Sequence, residues 1–105
     1  LGLVLAKFKE LIGPDGDLVT LIKPQFEAGR EKVGKKGVVR DQAVHVEVLK
    51  RLAEDAPHKG WHLTNLTFSP IRGPEGNIEF LGHWRENSAP MPDIAQVVKQ
   101  AWHDS

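Results

Sequence analysis

A lysine at the end of an apolar run is the residue of this sequence with the clearest potential for chemistry. Residues 18–22 form a run without charge, and Lys23 and Pro24 follow it directly. Unbroken apolar runs of this length are typical of strands that are buried on both faces. Proline lacks an N–H donor and ends a central strand. Lys23 is therefore predicted at the carboxyl end of a core strand, the edge at which open α/β sheets bind ligands.

Two interpretations of Lys23 remain open from spacing alone. A lysine held at a ligand-binding edge is partly desolvated, and it can take up a proton or stabilise a developing negative charge. Alternatively, the side chain extends from the end of the strand into solvent, and only its aliphatic part is covered.

A second candidate is the stretch of residues 28–40, where charge is strongly one-sided. It contains three glycines and five basic residues against one acid, Glu31. The basic residues are Arg30, Lys32, Lys35, Lys36 and Arg40. A basic loop beside the carboxyl end of a strand suits contacts with RNA phosphates, and a merely solvated loop is the alternative. The glycine and lysine spacing is that of a phosphate-binding loop, but Lys36 stands where a Ser or Thr would hold magnesium, so we reject that motif.

Composition limits the classes of protein to which the sequence can belong. Its 105 residues suffice for one domain. Fourteen basic residues balance fourteen acidic ones, so net charge indicates neither a nucleic-acid nor a membrane partner. The lack of cysteine excludes disulfides, thiolate metal sites and a cysteine nucleophile, and no metal site is expected. No apolar run approaches the length of a membrane span. The chain begins at Leu1 within a predicted helix, so we expect a piece of a longer protein.

The patterning predicts three helices and three strands that would position these residues. Helices are predicted over residues 1–12, from the N-cap Asp41 to about residue 56, and from Pro92 onward. Strands are predicted over residues 18–22, 61–68 and 78–85. The order strand, helix, strand predicts that the first two strands are parallel. The connection between the second and third strands is too short for a helical crossover, so it predicts that the third strand is antiparallel to the second. His45 lies near the border of the second helix's apolar stripe, and it is expected to be a surface or capping residue.

Three blocks of the sequence resemble the TlyA family. They are LIKPQFE at residues 21–27, GVVRD at 37–41 and GPEGNIEF at 73–80. The resemblance covers residues 1 to about 85, and Gln42 departs from it, because proline is expected there. Members of this family are FtsJ-like ribosomal RNA 2′-O-methyltransferases, which are often labelled haemolysins. No membrane-inserting segment supports the haemolysin label taken literally.

The resemblance implies a Rossmann-like methyltransferase domain, with S-adenosylmethionine as the methyl donor, and an S4-like RNA-binding domain upstream. Catalysis in the family is attributed to a Lys-Asp-Lys-Glu tetrad. By the match, Lys23 is the second lysine and Glu79 is the glutamate. The first lysine, the aspartate and the glycine-rich donor loop precede this chain in the family, so no cofactor-binding residue is expected here. Without the resemblance, Glu79 would be interpreted as a strand residue facing solvent.

The resulting prediction is an α/β fold: a partial Rossmann-like methyltransferase sheet of three strands, two parallel and one antiparallel, with flanking helices. Residues 1–86 would form the carboxyl-terminal half of the methyltransferase domain, and residues 87–105 a linker and a helix that packs on it. The strand at residues 18–22 would have an open edge, available for association with the missing part of the sheet, supplied upstream or by a second copy.

The predicted function is that of a fragment of a cytoplasmic ribosomal RNA ribose 2′-O-methyltransferase. Its partners would be ribosomal RNA or a ribosomal subunit, with no membrane. This chain alone is expected to be inactive, because the donor-binding loop is absent from it. The alternative function is a non-catalytic RNA-binding module that uses the basic loop at residues 30–40.

Overall fold

The computed structural model of the protein describes residues 17–27, 39, 41–73, 76–88 and 90–103. In chain order its elements are strand β1 (Asp17–Ile22), the short helix α1 (Pro24–Glu27), helix α2 (Gln42–Asp55), a 3-10 turn (Ala56–Lys59), strand β2 (His62–Phe68), strand β3 (Phe80–Arg85) and helix α3 (Ile94–His103). The three predicted strands and two of the predicted helices are thereby confirmed. The helix predicted over residues 1–12 lies outside the described residues.

The strands form one sheet in the order β1-β3-β2, and β3 is antiparallel to both of its neighbours. The predicted antiparallel pairing of β2 and β3 is confirmed. β1 and β2 run in the same direction, but β3 lies between them, so the prediction of a sheet with a parallel pair is wrong: every pair of the described sheet is antiparallel. The central position of β3 agrees with its side chains, since Phe80 and Trp84 are fully buried and a central strand covers such residues best.

The described helices α2 and α3 pack together, and the buried side chains of the sheet join them in one core. From β1 this core takes Leu18 and Ile22. The alternate residues behave differently, since Val19 is 67% exposed and Leu21 is 45% exposed. The prediction that β1 is buried on both faces is therefore wrong for this chain. A strand presents successive side chains to opposite faces, and only one face is covered here.

Short polar side chains begin both long helices. The side chain of Asp41 accepts a hydrogen bond from the Ala43 amide at 2.9 Å, which confirms the predicted N-cap of α2. Asp93, the residue before α3, accepts a hydrogen bond at 3.1 Å from the amide of Gln96 in the first turn of that helix. Among the described residues, no helix has the length and apolar character that crossing a membrane requires.

His45 is fully buried, and the prediction of a surface or capping residue is wrong. Its Nδ1 accepts a hydrogen bond from the Trp102 indole N–H at 2.9 Å. Its ring also meets Phe80 edge-on, with ring centroids 5.4 Å apart. The imidazole thus joins α2, α3 and the central strand, and burial lowers the pKa of His45 from 6.5 to about 4.

Candidate active site

The site lies where β1 ends and β3 begins. In the antiparallel register Ile22 is opposite Phe80, so Lys23, which follows Ile22, and Glu79, which precedes Phe80, lie at the same edge of the sheet. Pro24 ends the strand, as predicted, and opens α1. The Phe26 amide donates to the Lys23 carbonyl at 3.0 Å, which closes this turn. Two residues that are far apart in sequence are thereby brought to one edge.

Glu79 is buried and engaged by a neighbouring side chain. Only 5% of Glu79 is exposed, and its Oε2 accepts a hydrogen bond from Gln25 Nε2 at 2.7 Å. Its carbonyl oxygen also accepts a hydrogen bond from the Ser69 amide at 2.8 Å. A buried carboxylate requires hydrogen-bond partners. The solvent-facing alternative for Glu79 is therefore wrong, and the carboxylate is held rather than free.

The turn that precedes Glu79 leaves no room for a larger residue at position 73. A Cβ placed on Gly73 would lie 2.1 Å from Oε2 of Glu79. The Gly73 amide donates to the Asn77 carbonyl at 2.8 Å, and the buried side chain of Asn77 accepts a hydrogen bond from the Val39 amide at 3.0 Å. The glycine at position 73 thus provides the space that the carboxylate occupies.

Lys23 is half-buried, and its ammonium does not form an ion pair with the Glu79 carboxylate. Lys23 Nζ lies 5.7 Å from the centroid of the Phe26 ring, within the range of a cation–π contact. Between Lys23 and Glu79, both among the described residues, there is no ion pair. The ammonium therefore keeps hydrogen-bonding capacity for a bound group.

The arrangement combines a half-buried cation with a carboxylate that a neighbouring side chain holds. A lysine side chain donates hydrogen bonds as an ammonium and accepts a proton as a neutral amine, whereas a carboxylate accepts hydrogen bonds. A hydroxyl that lies between such groups can be oriented and can lose its proton during attack on an electrophile. The edge is therefore suited to activating a hydroxyl group.

Gln25 and Gly73 are residues of the site that the sequence does not single out individually. Both lie within the blocks LIKPQFE and GPEGNIEF, so the blocks contained the signal, but nothing in either block shows that the two pack on one carboxylate. The basic residues Arg30, Lys32, Lys35, Lys36 and Arg40 lie outside the described residues, and their predicted contact with RNA stays a prediction.

Residues 4–85 match the family model of FtsJ-like methyltransferases. Because the match covers more than half of the 105 residues, the chain belongs to the FtsJ-like methyltransferase family. The family resemblance stated from the three sequence blocks is thereby confirmed.

Relatives and solved structures agree with this assignment. The chain is 46% identical over 108 residues to "Putative rRNA methyltransferase YqxC" of Bacillus subtilis (strain 168), covering 96% of this chain and 38% of that protein. It is 39% identical over 89 residues to "16S/23S rRNA (cytidine-2'-O)-methyltransferase TlyA" of Mycobacterium tuberculosis (strain ATCC 25618 / H37Rv), covering 85% of this chain and 33% of that protein. Its structure resembles "Putative hemolysin from Streptococcus thermophilus" with a TM-score of 0.89 and 41% identity, over 99% of this chain and 39% of that one. The chain thus spans less than two-fifths of the length of these proteins.

Proposed function

We propose that this chain forms part of an S-adenosylmethionine-dependent methyltransferase that modifies ribose 2′-hydroxyls of ribosomal RNA, with Lys23 and Glu79 as catalytic residues. The observation that carries the proposal is the register of β1 and β3, which brings a half-buried lysine and a buried carboxylate to one edge of the sheet. The names of the relatives, which are ribosomal RNA methyltransferases, support ribosomal RNA as the substrate. Such a substrate implies activity in the cytoplasm.

In this proposal the residues of the chain act on the methyl acceptor. A ribose hydroxyl is a weak nucleophile, so it must be positioned in line and relieved of its proton. Lys23, which forms no ion pair with Glu79, is available to accept that proton or to stabilise the developing alkoxide. Glu79, held by Gln25, orients the lysine or the hydroxyl by accepting a hydrogen bond.

The methyl donor fits the charge of this edge. S-adenosylmethionine supplies an electrophilic methyl group on a cationic sulfonium when it is bound. The carboxylate of Glu79 lies at this edge, and a carboxylate is compatible with a nearby cation. By the family resemblance, the residues that would hold the donor lie outside this chain, as do the first lysine and the aspartate of the tetrad.

The test is transfer of labelled methyl groups from S-adenosylmethionine to ribosomal RNA and to isolated ribosomal subunits, using the complete gene product that carries this chain. Lys23→Ala and Glu79→Gln should each lower kcat by about 100-fold or more, since each removes a group that acts on the reacting hydroxyl. Lys99→Ala is the matched control, because Lys99 is exposed on α3, and it should leave kcat unchanged.

Two outcomes would contradict the proposal. If the wild-type protein transfers no methyl group to ribosomal RNA or to either subunit, the activity is wrong. If it does so and Lys23→Ala retains wild-type kcat, the role of Lys23 is wrong. Binding of RNA without transfer would favour the RNA-binding module, for which the basic loop at residues 30–40 is the predicted contact surface.

A further inference from the structure

We propose that Gln25 is a positioning residue of this site, which holds Glu79 through its amide nitrogen and receives a donor of the substrate complex on its amide oxygen. This inference rests on the proposed function and deepens it. It assigns a role to a residue outside the tetrad that the family resemblance implies. The contacts of the two ends of the Gln25 amide carry it.

The nitrogen end of the amide is assigned by chemistry. Gln25 Nε2 lies 2.7 Å from Oε2 of Glu79, and both side chains are at least nine-tenths buried. A carboxylate accepts hydrogen bonds and has no hydrogen to donate, so the end of the amide that faces it must be the NH₂ group. The amide oxygen is therefore the end of the Gln25 side chain that is not bonded to Glu79.

The oxygen end has no partner among the described residues. Gln25 Oε1 is buried and accepts no hydrogen bond from the part of the chain that the structure describes. Leaving a buried acceptor unpaired is costly, and native proteins rarely do so without a reason. A purely structural glutamine would have its oxygen satisfied within the fold. An unpaired acceptor beside Glu79 is the expected state of a group that pairs when substrate binds.

The place of Gln25 in the chain links the two halves of the site. It lies two residues after Lys23 in the short helix α1, and it bonds to a residue 54 positions away that directly precedes β3. Pro24 lies between Lys23 and Gln25 in the sequence. It is buried, and its ring restricts the backbone of this turn. The amide therefore couples the position of Glu79 to the turn that carries Lys23.

The donor for the amide oxygen is an O–H or N–H group, and it has two available sources. A ribose hydroxyl of the RNA is one, and an ammonium or amide group contributed by the rest of the protein is the other. Both satisfy the same acceptor. Kinetic constants distinguish them, because only the first source makes RNA binding depend on Gln25.

The first experiment tests the Gln25–Glu79 hydrogen bond without reference to activity. Urea unfolding of the 105-residue chain is measured for Gln25→Met, Glu79→Met and the double variant, as a double-mutant cycle. Methionine is close to glutamine in size and removes both polar ends. We expect clear non-additivity in the unfolding midpoints, because each single change leaves the other partner buried and unpaired. Additive shifts would overturn the proposal, whether or not the protein is a methyltransferase.

The second experiment measures kcat and KM of the complete gene product with S-adenosylmethionine and ribosomal RNA. Gln25→Met should lower kcat by about 10- to 100-fold, since a displaced Glu79 misplaces the reacting groups. Its KM for S-adenosylmethionine should stay within twofold of wild type. The control is Gln100→Met, the same change at an exposed position of α3, which should change neither constant.

The KM for RNA then assigns the donor. A rise of tenfold or more in Gln25→Met supports a donor on the RNA ribose. An unchanged value with lowered kcat would overturn the pairing of the amide oxygen with substrate, because the donor then belongs to the protein. Wild-type kcat in Gln25→Met, at an unchanged melting temperature, would overturn the positioning role even if the methyltransferase activity is confirmed.

Discussion

At the scale of single residues, the site depends on how its carboxylate is accommodated. Glu79 is buried, bonded to Gln25 and packed against the Cα of Gly73. Nearby, Gly76 has a φ of 81°, yet a Cβ there would meet nothing within 4 Å. The two glycines therefore serve different purposes: one leaves space for a side chain, and the other adopts a left-handed backbone conformation.

We predict that Gly73→Ala disables the site more than it destabilises the fold. The added methyl group would collide with the end of the Glu79 side chain rather than with backbone, so the carboxylate moves and loses its bond to Gln25. The expected cost in unfolding free energy is about 1–2 kcal/mol, whereas kcat for methyl transfer should fall at least tenfold. Urea unfolding and the labelled-methyl assay measure the two effects.

Gly76→Ala is the comparison for this prediction. It should cost about 1 kcal/mol through its positive φ while leaving kcat close to wild type, because no side chain occupies the space beside it. Equal loss of kcat in both variants would show that the turn as a whole, and not the space at Gly73, controls Glu79.

We predict that acid destabilises the folded chain through protonation of His45. Burial lowers the pKa of His45 to about 4 from the 6.5 of the unfolded chain. Between these values the unfolded chain binds more protons than the folded one. The contribution of neutral, buried His45 to stability is therefore complete above pH 6.5 and is lost as the pH falls towards 4. The unfolding free energy should decrease by up to about 3 kcal/mol over this range.

The control for this prediction is His45→Asn. Asparagine offers an acceptor to the Trp102 indole but does not titrate, so this variant should be less stable at pH 7 and should show a shallower loss between pH 6.5 and 4. The difference between the two pH profiles, measured by urea unfolding, isolates His45 from the other histidines. Parallel profiles would contradict the prediction.

At the scale of elements, α3 is held to the domain by one apolar face. Ile94, Val98 and Ala101 are buried, and Trp102 bonds to His45 on α2. This agrees with the predicted packing stripe, which repeats at helical spacing. The helix therefore belongs to the same core as the sheet, although the family match ends at residue 85.

We predict that Val98→Ala lowers the unfolding free energy by about 1.5–3 kcal/mol, because Val98 is fully buried and its methyl groups would leave a cavity. Lys99→Ala, the neighbouring exposed position, should change it by less than about 0.5 kcal/mol. Similar losses in the two variants, measured by urea unfolding, would mean that α3 is not packed on the core.

At the scale of the whole molecule, β1 leaves two surfaces without a described partner. Its outer edge pairs with no strand among residues 17–27, 39, 41–73, 76–88 and 90–103, and Val19 and Leu21 are exposed on one face. Unpaired edges are sites for strand pairing. Association through this edge stays a prediction.

The predicted lack of donor binding also belongs to this scale. We expect the 105-residue chain alone to bind S-adenosylmethionine weakly or not at all, because the family's glycine-rich donor loop is not among its motifs. Isothermal titration calorimetry measures this, with the complete gene product as the positive control. Sub-micromolar affinity of the chain alone would contradict the prediction and would place a donor site within these residues.

The sequence by itself determined the parts of the structure that depend on neighbouring residues. The strand before Lys23, its end at Pro24, the N-cap Asp41 and the apolar face of α3 all follow from local spacing, and the structure confirms them. Periodicity and capping report on a few successive residues, so a linear pattern is enough to predict them.

Only the tertiary structure decided which distant residues meet. It put β3 between β1 and β2, buried His45 against Trp102, and joined Gln25 to Glu79 across 54 positions. Strand order and the burial of polar groups result from competition among long-range contacts, in which the best cover for Phe80 and Trp84 outweighs the local preference for a parallel pair. The spacing of residues in the sequence does not predict these contacts, because the contacting residues are far apart along the chain.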